Sequence, residues 1–223
     1  MTKFGDVLTT DEVPTGGTTI LNGTGPPADA LGAVGNYYLD TTAKILYGPK
    51  SATQVYGSDS SVFTIAPTAM HNIGASSCEG SRITVAAAGR ITGLRYYRYG
   101  GNASAHNITL CLYLQSTQAE LGRTVINNAA SAPAGWVVGT LSTPVAVSGS
   151  TAYRTASTSS AAINSSYQQV TPTSGSSLLA YLGGCWTMAP TSYPATDDTP
   201  GCYFVDLVFQ PLTQWPVALK SAP

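Results

Sequence analysis

The chain is written in short runs in which apolar and polar residues alternate, each cut off by glycine, serine, asparagine or proline. A period of two fits a pleated strand with one buried face, and no window keeps the i, i+3, i+4, i+7 apolar spacing that a helix needs. The runs lie at residues 62–66, 82–86, 91–99, 107–114, 135–141, 144–147, 152–155 and 202–209, with turn clusters such as 100–104 and 148–150 between them. Many short strands separated by turn residues predict an antiparallel β-sandwich, jelly-roll-like, rather than an α/β fold.

Alternation also assigns faces. In residues 107–114, Ile108, Leu110, Leu112 and Leu114 share one side, and Thr109, Cys111 and Tyr113 the other, so the first set is expected to meet the opposing sheet. In the last run Tyr203, Val205, Leu207 and Phe209 share a face. Asp206 falls opposite, either as a solvated charge or as a buried carboxylate bonded to a neighbouring loop.

The first part of the chain has another character. Two apolar runs, Tyr37 to Leu39 and Ile45 to Tyr47, flank a polar turn and end at Gly48-Pro49, which predicts a β-hairpin preceded by an extended arm. A lone hairpin buries too little apolar area to stand in water, so it must pack on the sandwich or on copies of itself. Tyr37, Tyr38, Leu39, Ile45, Leu46 and Tyr47 are therefore the expected oligomer interface. The expected organisation is an anchor, linker and oligomerisation hairpin over 1–56, a β-sandwich over 57–210 and an extended tail over 211–223.

Composition narrows the function. Lys and Arg number 10 and Asp and Glu 11, only 9% of the chain against about 25% in ordinary soluble domains, so strong electrostatic recognition is not expected. Without a basic cluster there is no footprint for nucleic acid, and no apolar stretch is long enough to span a bilayer. Hydrophobic residues make up 43%, enough for an ordered core. Residues 1–11 carry no signal-like apolar run, so synthesis in a cytoplasm is expected. Cys78, Cys111, Cys185 and Cys202 match no metal spacing; free buried thiols are expected, with a Cys185–Cys202 bridge as the alternative.

Catalytic signals are sparse. The two histidines, His71 and His106, lie outside any nucleophile or metalloprotease motif, and Glu79, Glu120, Asp197, Asp198 and Asp206 are the sandwich-region candidates for a carboxylate pair. Asp197-Asp198 could lend oxygens to calcium but lacks the spacing of a calcium loop, and a solvated turn is the simpler reading. No enzyme activity, cofactor, catalytic residue or metal site is expected. Tyr96, Tyr97 and Tyr99, interleaved with Arg95 and Arg98, are the candidate ligand surface, able to stack on a sugar or a protein; sheet packing is the plainer reading.

Two resemblances add to this. Gly23-Thr-Gly-Pro-Pro27, then Gly35-Asn-Tyr-Tyr-Leu-Asp-Thr-Thr42 and Ile45-Leu-Tyr-Gly-Pro-Lys50, resemble a hairpin module of bacteriophage tail fibres, minor tail proteins and head fibres, which tends to be trimeric. From about Gly57 to Phe209, segments including Arg90 to Tyr97, Gly135-Trp136 and Tyr203 to Phe209 are similar, in order, to a β-sandwich family of unknown function. That family occurs in phage structural proteins and in secreted bacterial proteins. The resemblances imply a non-enzymatic virion structural protein, a capsid decoration, head-fibre or minor tail component. It would be a homotrimer bound to other virion proteins and exposed on the particle surface. The alternative is a host-surface carbohydrate- or receptor-binding module of a phage tail.

Overall fold

The computed structural model describes residues 19–67, 70–73, 77–99, 105–159, 163–166, 168–169, 176–190, 192–215 and 217–220. It is all-β and divides into two compact units, Met1–Ser58 with Leu212–Pro223, and Asp59–Pro211. Among the described residues no helix is long and apolar enough to cross a membrane.

The first unit contains β1 (Ile20–Gly23), β2 (Tyr37–Asp40), β3 (Ile45–Tyr47) and β4 (Val55–Tyr56). Strands β2 and β3 are the expected hairpin, pairing Tyr38 with Tyr47 and Leu39 with Leu46. Asp40 shapes its turn, one carboxylate oxygen accepting the amides of Thr42 at 2.9 Å, Ala43 at 3.0 Å and Gly25 at 3.1 Å.

The second unit holds β5 (Met70–Ile73), β6 (Cys78–Val85), β7 (Gly89–Arg98), β8 (His106–Leu114), β9 (Glu120–Asn128), β10 (Gly135–Val147) and β11 (Thr151–Ser159). It continues through β12 (Ile163–Ser166), β13 (Gln168–Gln169), β14 (Leu179–Thr187), β15 (Thr196–Asp198), β16 (Gly201–Cys202) and β17 (Val205–Thr213), whose last two residues belong to the first unit and pair with β4. Back in the first unit, β18 (Val217–Lys220) pairs antiparallel with β3. The hairpin is thus completed by its own unit, in the order β1-β2-β3-β18, and Tyr38 and Tyr47 pack with Trp215. The segment read from the sequence as an extended tail supplies both that strand and that tryptophan.

In the second unit six strands form one antiparallel sheet, β15-β14-β6-β11-β8-β9, and β10-β7-β17 form another. Their inner faces make one core, with Ile83, Ile108, Leu110 and Leu112 from the larger sheet and Ile91, Leu94, Val205, Leu207 and Phe209 from the smaller. This is the expected β-sandwich, and β8 presents the expected residues to the core. Its other face is also covered: Cys111 and Tyr113 pack with Cys78, Ala156 and Tyr193.

Three local expectations are corrected. Residues 135–141 and 144–147 are one strand, its register shifting between Thr140 and Val145 around Pro144, which has no amide to give a ladder. Residues 62–66 form a loop, because the amides of Val62 and Phe63 bond to a side chain instead of a strand. The last run breaks at Phe204, whose φ of 52° lies in the left-handed region that bulky residues rarely adopt, so β17 begins one residue later.

Candidate functional site

Register between β7 and β10 sets the site. Tyr97 pairs with Trp136 and Arg95 with Val138, while β17 brings Asp206 opposite Arg95. Since side chains alternate, Arg95, Tyr97, Trp136 and Asp206 share one face, and Tyr96 is turned to the core. Tyr96 is accordingly buried, its hydroxyl accepting from Asn128 Nδ2, which corrects its assignment to a ligand surface. Tyr97 is half-buried and sets its ring edge-on to Trp136 at 5.5 Å; Tyr99 is half-buried just beyond the end of β7.

Asp206 organises this face. It is fully buried, the second of the two alternatives the sequence left open. Its Oδ1 accepts the amides of Val62 at 3.2 Å and Leu207 at 2.7 Å, and its Oδ2 accepts that of Phe63 at 3.0 Å and Arg95 Nε and Nη2 at 3.1 and 2.8 Å. Burial pushes the Asp206 carboxyl up from its ordinary value, against the Arg95 charge and these amides, which favour the ionised form. One carboxylate therefore ties loop 62–63 to the sheet and fixes the Arg95 guanidinium, whose Nη2 also donates to the Phe63 carbonyl.

Above it lies an aromatic cluster. Phe63 stacks on Trp136 at 5.9 Å and 12°, Phe204 lies 5.3 Å from Phe63, and the Arg95 guanidinium sits 4.2 Å from the Trp136 ring. The cluster borders a cleft of about 480 Å³ lined by Asp59, Ser60, Ser61, Phe63, Thr64, Arg95, Trp136 and Ser176. Ser60 is anchored to β17 by two backbone bonds with Phe209, at 2.7 and 2.9 Å. The left-handed Phe204 packs against Phe63 without lining the cleft itself.

Most of the other residues singled out from the sequence are tied into the framework. His106 is buried and bonds Asn128 at 3.2 Å; His71 lies on β5 with its side chain outside the described residues. Asp197 is solvent-exposed, as the solvated reading has it, but lies on β15 instead of in a turn and pairs with Arg82 and Arg154, each at 2.7 Å. Asp198 accepts the Tyr203 hydroxyl at 2.8 Å, and Glu120 pairs with Arg123. Glu79 is buried, and burial pushes its carboxyl up to about 7 in spite of a hydrogen bond from Ser77. All four cysteines are free and buried, and burial pushes the Cys185 thiol up to about 12 and that of Cys202 to about 11. Among the described residues no group of three or more His, Cys, Asp or Glu could hold a metal ion.

Of the six hairpin residues expected at an oligomer interface, Tyr38, Leu46 and Tyr47 are buried in the chain itself, which corrects their assignment to a surface, while Tyr37, Leu39 and Ile45 are half-buried. Phe63, Trp136 and the rim hydroxyls were not singled out as site residues, because their convergence depends on a strand register and a loop anchor that no local pattern carries.

A family model described as a domain of unknown function (DUF4082) matches residues 64–205, more than half of the chain. The chain belongs to the DUF4082 family. Comparison with curated proteins found no match. Arg95, Trp136, Thr64 and Ser176 fall inside the DUF4082 segment, whereas Asp206 and the 59–63 wall of the cleft lie just outside it.

Proposed function

We propose that this protein is a non-enzymatic structural component of a bacteriophage particle, a capsid decoration, head-fibre or minor tail protein that mounts through its first unit and displays the DUF4082 sandwich on the particle surface. The observation that carries the reading is that the segment resembling the phage hairpin module folds as the hairpin of a unit with its own aromatic core, separate from the sandwich. A mount and a displayed domain call for this division. Structural use of the titratable groups supports the non-enzymatic part: His106, Asp197, Asp198 and Asp206 each bond to other residues of the sandwich, and Glu120 makes a local surface pair with Arg123.

Self-association as a trimer would use the side of β2 that carries Tyr37 and Leu39, since Tyr38 and Asp40 on its opposite side are buried in the unit. The test is composition. In particles produced from the genome that encodes this chain and banded in a density gradient, mass spectrometry should find it at a fixed ratio to the major capsid protein. Its absence from infectious particles would overturn the reading.

The cleft at Arg95 and Trp136 favours a second reading, in which the displayed sandwich also recognises the host surface. A preformed recess with aromatic and hydroxyl groups is a recognition surface as well as a packing feature.

A further inference from the structure

We infer that the cleft bordered by Ser60, Ser61, Thr64, Arg95 and Trp136 binds a neutral saccharide. The inference rests on the second reading above and holds whichever part of a particle the chain is mounted on.

Shape is the first argument. The recess holds about 480 Å³ and is a shallow depression open to solvent, which suits a sugar bound on one side rather than an enclosed ligand. The walls are set before any ligand arrives: Ser60 by its backbone bonds to Phe209, Phe63 by Asp206, and Arg95 by Asp206 and the Phe63 carbonyl. Preorganisation lowers the ordering cost of binding, which matters for a ligand as weakly held as a sugar.

Functional groups are the second. The hydroxyls of Ser60, Ser61 and Thr64 make no hydrogen bond among the described residues, and neither does Arg95 Nη1, whereas Nε and Nη2 are engaged. The recess thus offers hydroxyls that donate and accept, a guanidinium edge that donates, an Asp59 carboxylate whose Oδ1 already accepts from Gln210 Nε2 at 2.9 Å, leaving Oδ2 to accept, and the exposed part of a half-buried Trp136 indole against which Phe63 and the Arg95 guanidinium already pack. A pyranose presents the matching set, a ring of hydroxyls that both donate and accept around an apolar C–H surface.

Charge is the third. The Arg95 cation is already paired with Asp206 at 2.8 Å, and among the described residues the only other charge on the lining is the Asp59 carboxylate. One guanidinium faces two carboxylates, so an anion finds no unmatched positive charge. That favours an uncharged polyol over a uronic or sialic acid or a phosphate.

Saturation-transfer NMR on the full chain tests this directly, with glucose, galactose, mannose, N-acetylglucosamine and their disaccharides as probes and galacturonate and N-acetylneuraminate as anionic comparisons. At least one neutral sugar is expected to bind saturably and more tightly than either anion. The variant Ser60→Ala/Ser61→Ala/Thr64→Ala should lose about tenfold or more in affinity at an unchanged melting temperature, because these hydroxyls support no internal bond. Trp136→Phe, which keeps an aromatic ring in the cluster, should weaken the same sugar. The inference is overturned if no neutral sugar in the panel binds, if an anionic one binds better, or if binding survives the triple substitution. None of these outcomes bears on whether the chain is found in particles, so the two proposals fail separately.

Discussion

Replacing Asp206 should test the framework of the cleft. Its carboxylate is fully buried and accepts five hydrogen bonds, three from backbone amides and two from Arg95. Asp206→Ala strands a largely covered guanidinium, and breaking a buried pair in this way costs about 3–5 kcal/mol. It also leaves the amides of Val62 and Phe63 without an acceptor, at about 1–3 kcal/mol for each that water cannot reach. The terms are not additive, and a loss of at least about 4 kcal/mol is expected. The discriminating variant is the pair Arg95→Met with Asp206→Leu. If Asp206 served only its ion pair, this apolar replacement would be nearly neutral. Because it also holds loop 62–63, the double variant should remain about 2–3 kcal/mol below the native chain. Equilibrium urea unfolding followed by far-ultraviolet circular dichroism reads both losses in the sandwich transition. A double variant as stable as the native chain would refute the anchoring role, as would a single variant losing less than about 1 kcal/mol.

Other consequences are equally specific. Glu79 sits near 7 in the fold against 4.5 for an ordinary glutamate, so the stability contributed by its neutral form is full below about 4.5 and is lost as pH rises through 7. Glu79→Gln should remove that dependence and become the more stable protein at high pH, by up to about 3 kcal/mol, as read by urea midpoints from pH 4 to 9; parallel profiles would contradict it. A Cβ on Gly80 would lie 1.7 Å from the Thr155 carbonyl oxygen, between two central strands, so Gly80→Ala should cost more than about 3 kcal/mol; an unchanged urea midpoint would refute that packing. The Ala43 amide, followed by those of Thr42 and Gly25 and the Lys44 charge, holds the Asp40 carboxyl below its ordinary 3.8 against the opposing effect of burial. Stability from that lowered value is present above 3.8 and lost as pH falls further, so Trp215, buried beside Tyr38, should shift its fluorescence to the red in acid, and less so in Asp40→Asn; identical acid shifts in both proteins would argue against the turn as the cause.

How far the sequence could be read follows from how local each determinant is. The hairpin was legible because turn, stop and apolar pairs lie within a few residues of Asp40. The faces of β8 were legible because Ile108, Leu110 and Leu112 alternate without interruption. Strand β9 escaped notice because it is an edge strand whose Glu120, Arg123 and Asn127 dilute the apolar signal. Strand β14 was hidden by Gly183 and Gly184, which sit at a register shift and at a close approach of backbone, where a Cβ on Gly184 would lie 2.7 Å from the Gly201 oxygen. Residues 62–66 imitated a strand because Val62 and Phe63 are apolar and buried, yet their amides reach a carboxylate 144 and 143 positions away. The cleft was beyond reach for the same reason. Arg95 and Tyr97 were visible as an aromatic and guanidinium run, but the Trp136 that joins them arrives through register, and the acid that orders them sits near the far end of the family domain.

The account rests most heavily on display of the sandwich on a particle, and immunoelectron microscopy tests it most directly. Antibody raised against the folded chain and applied to intact, gradient-purified particles from the encoding genome should decorate their outside at a fixed position on head or tail. Intact particles left unlabelled, while the same antibody finds the chain only in the soluble lysate, would contradict it.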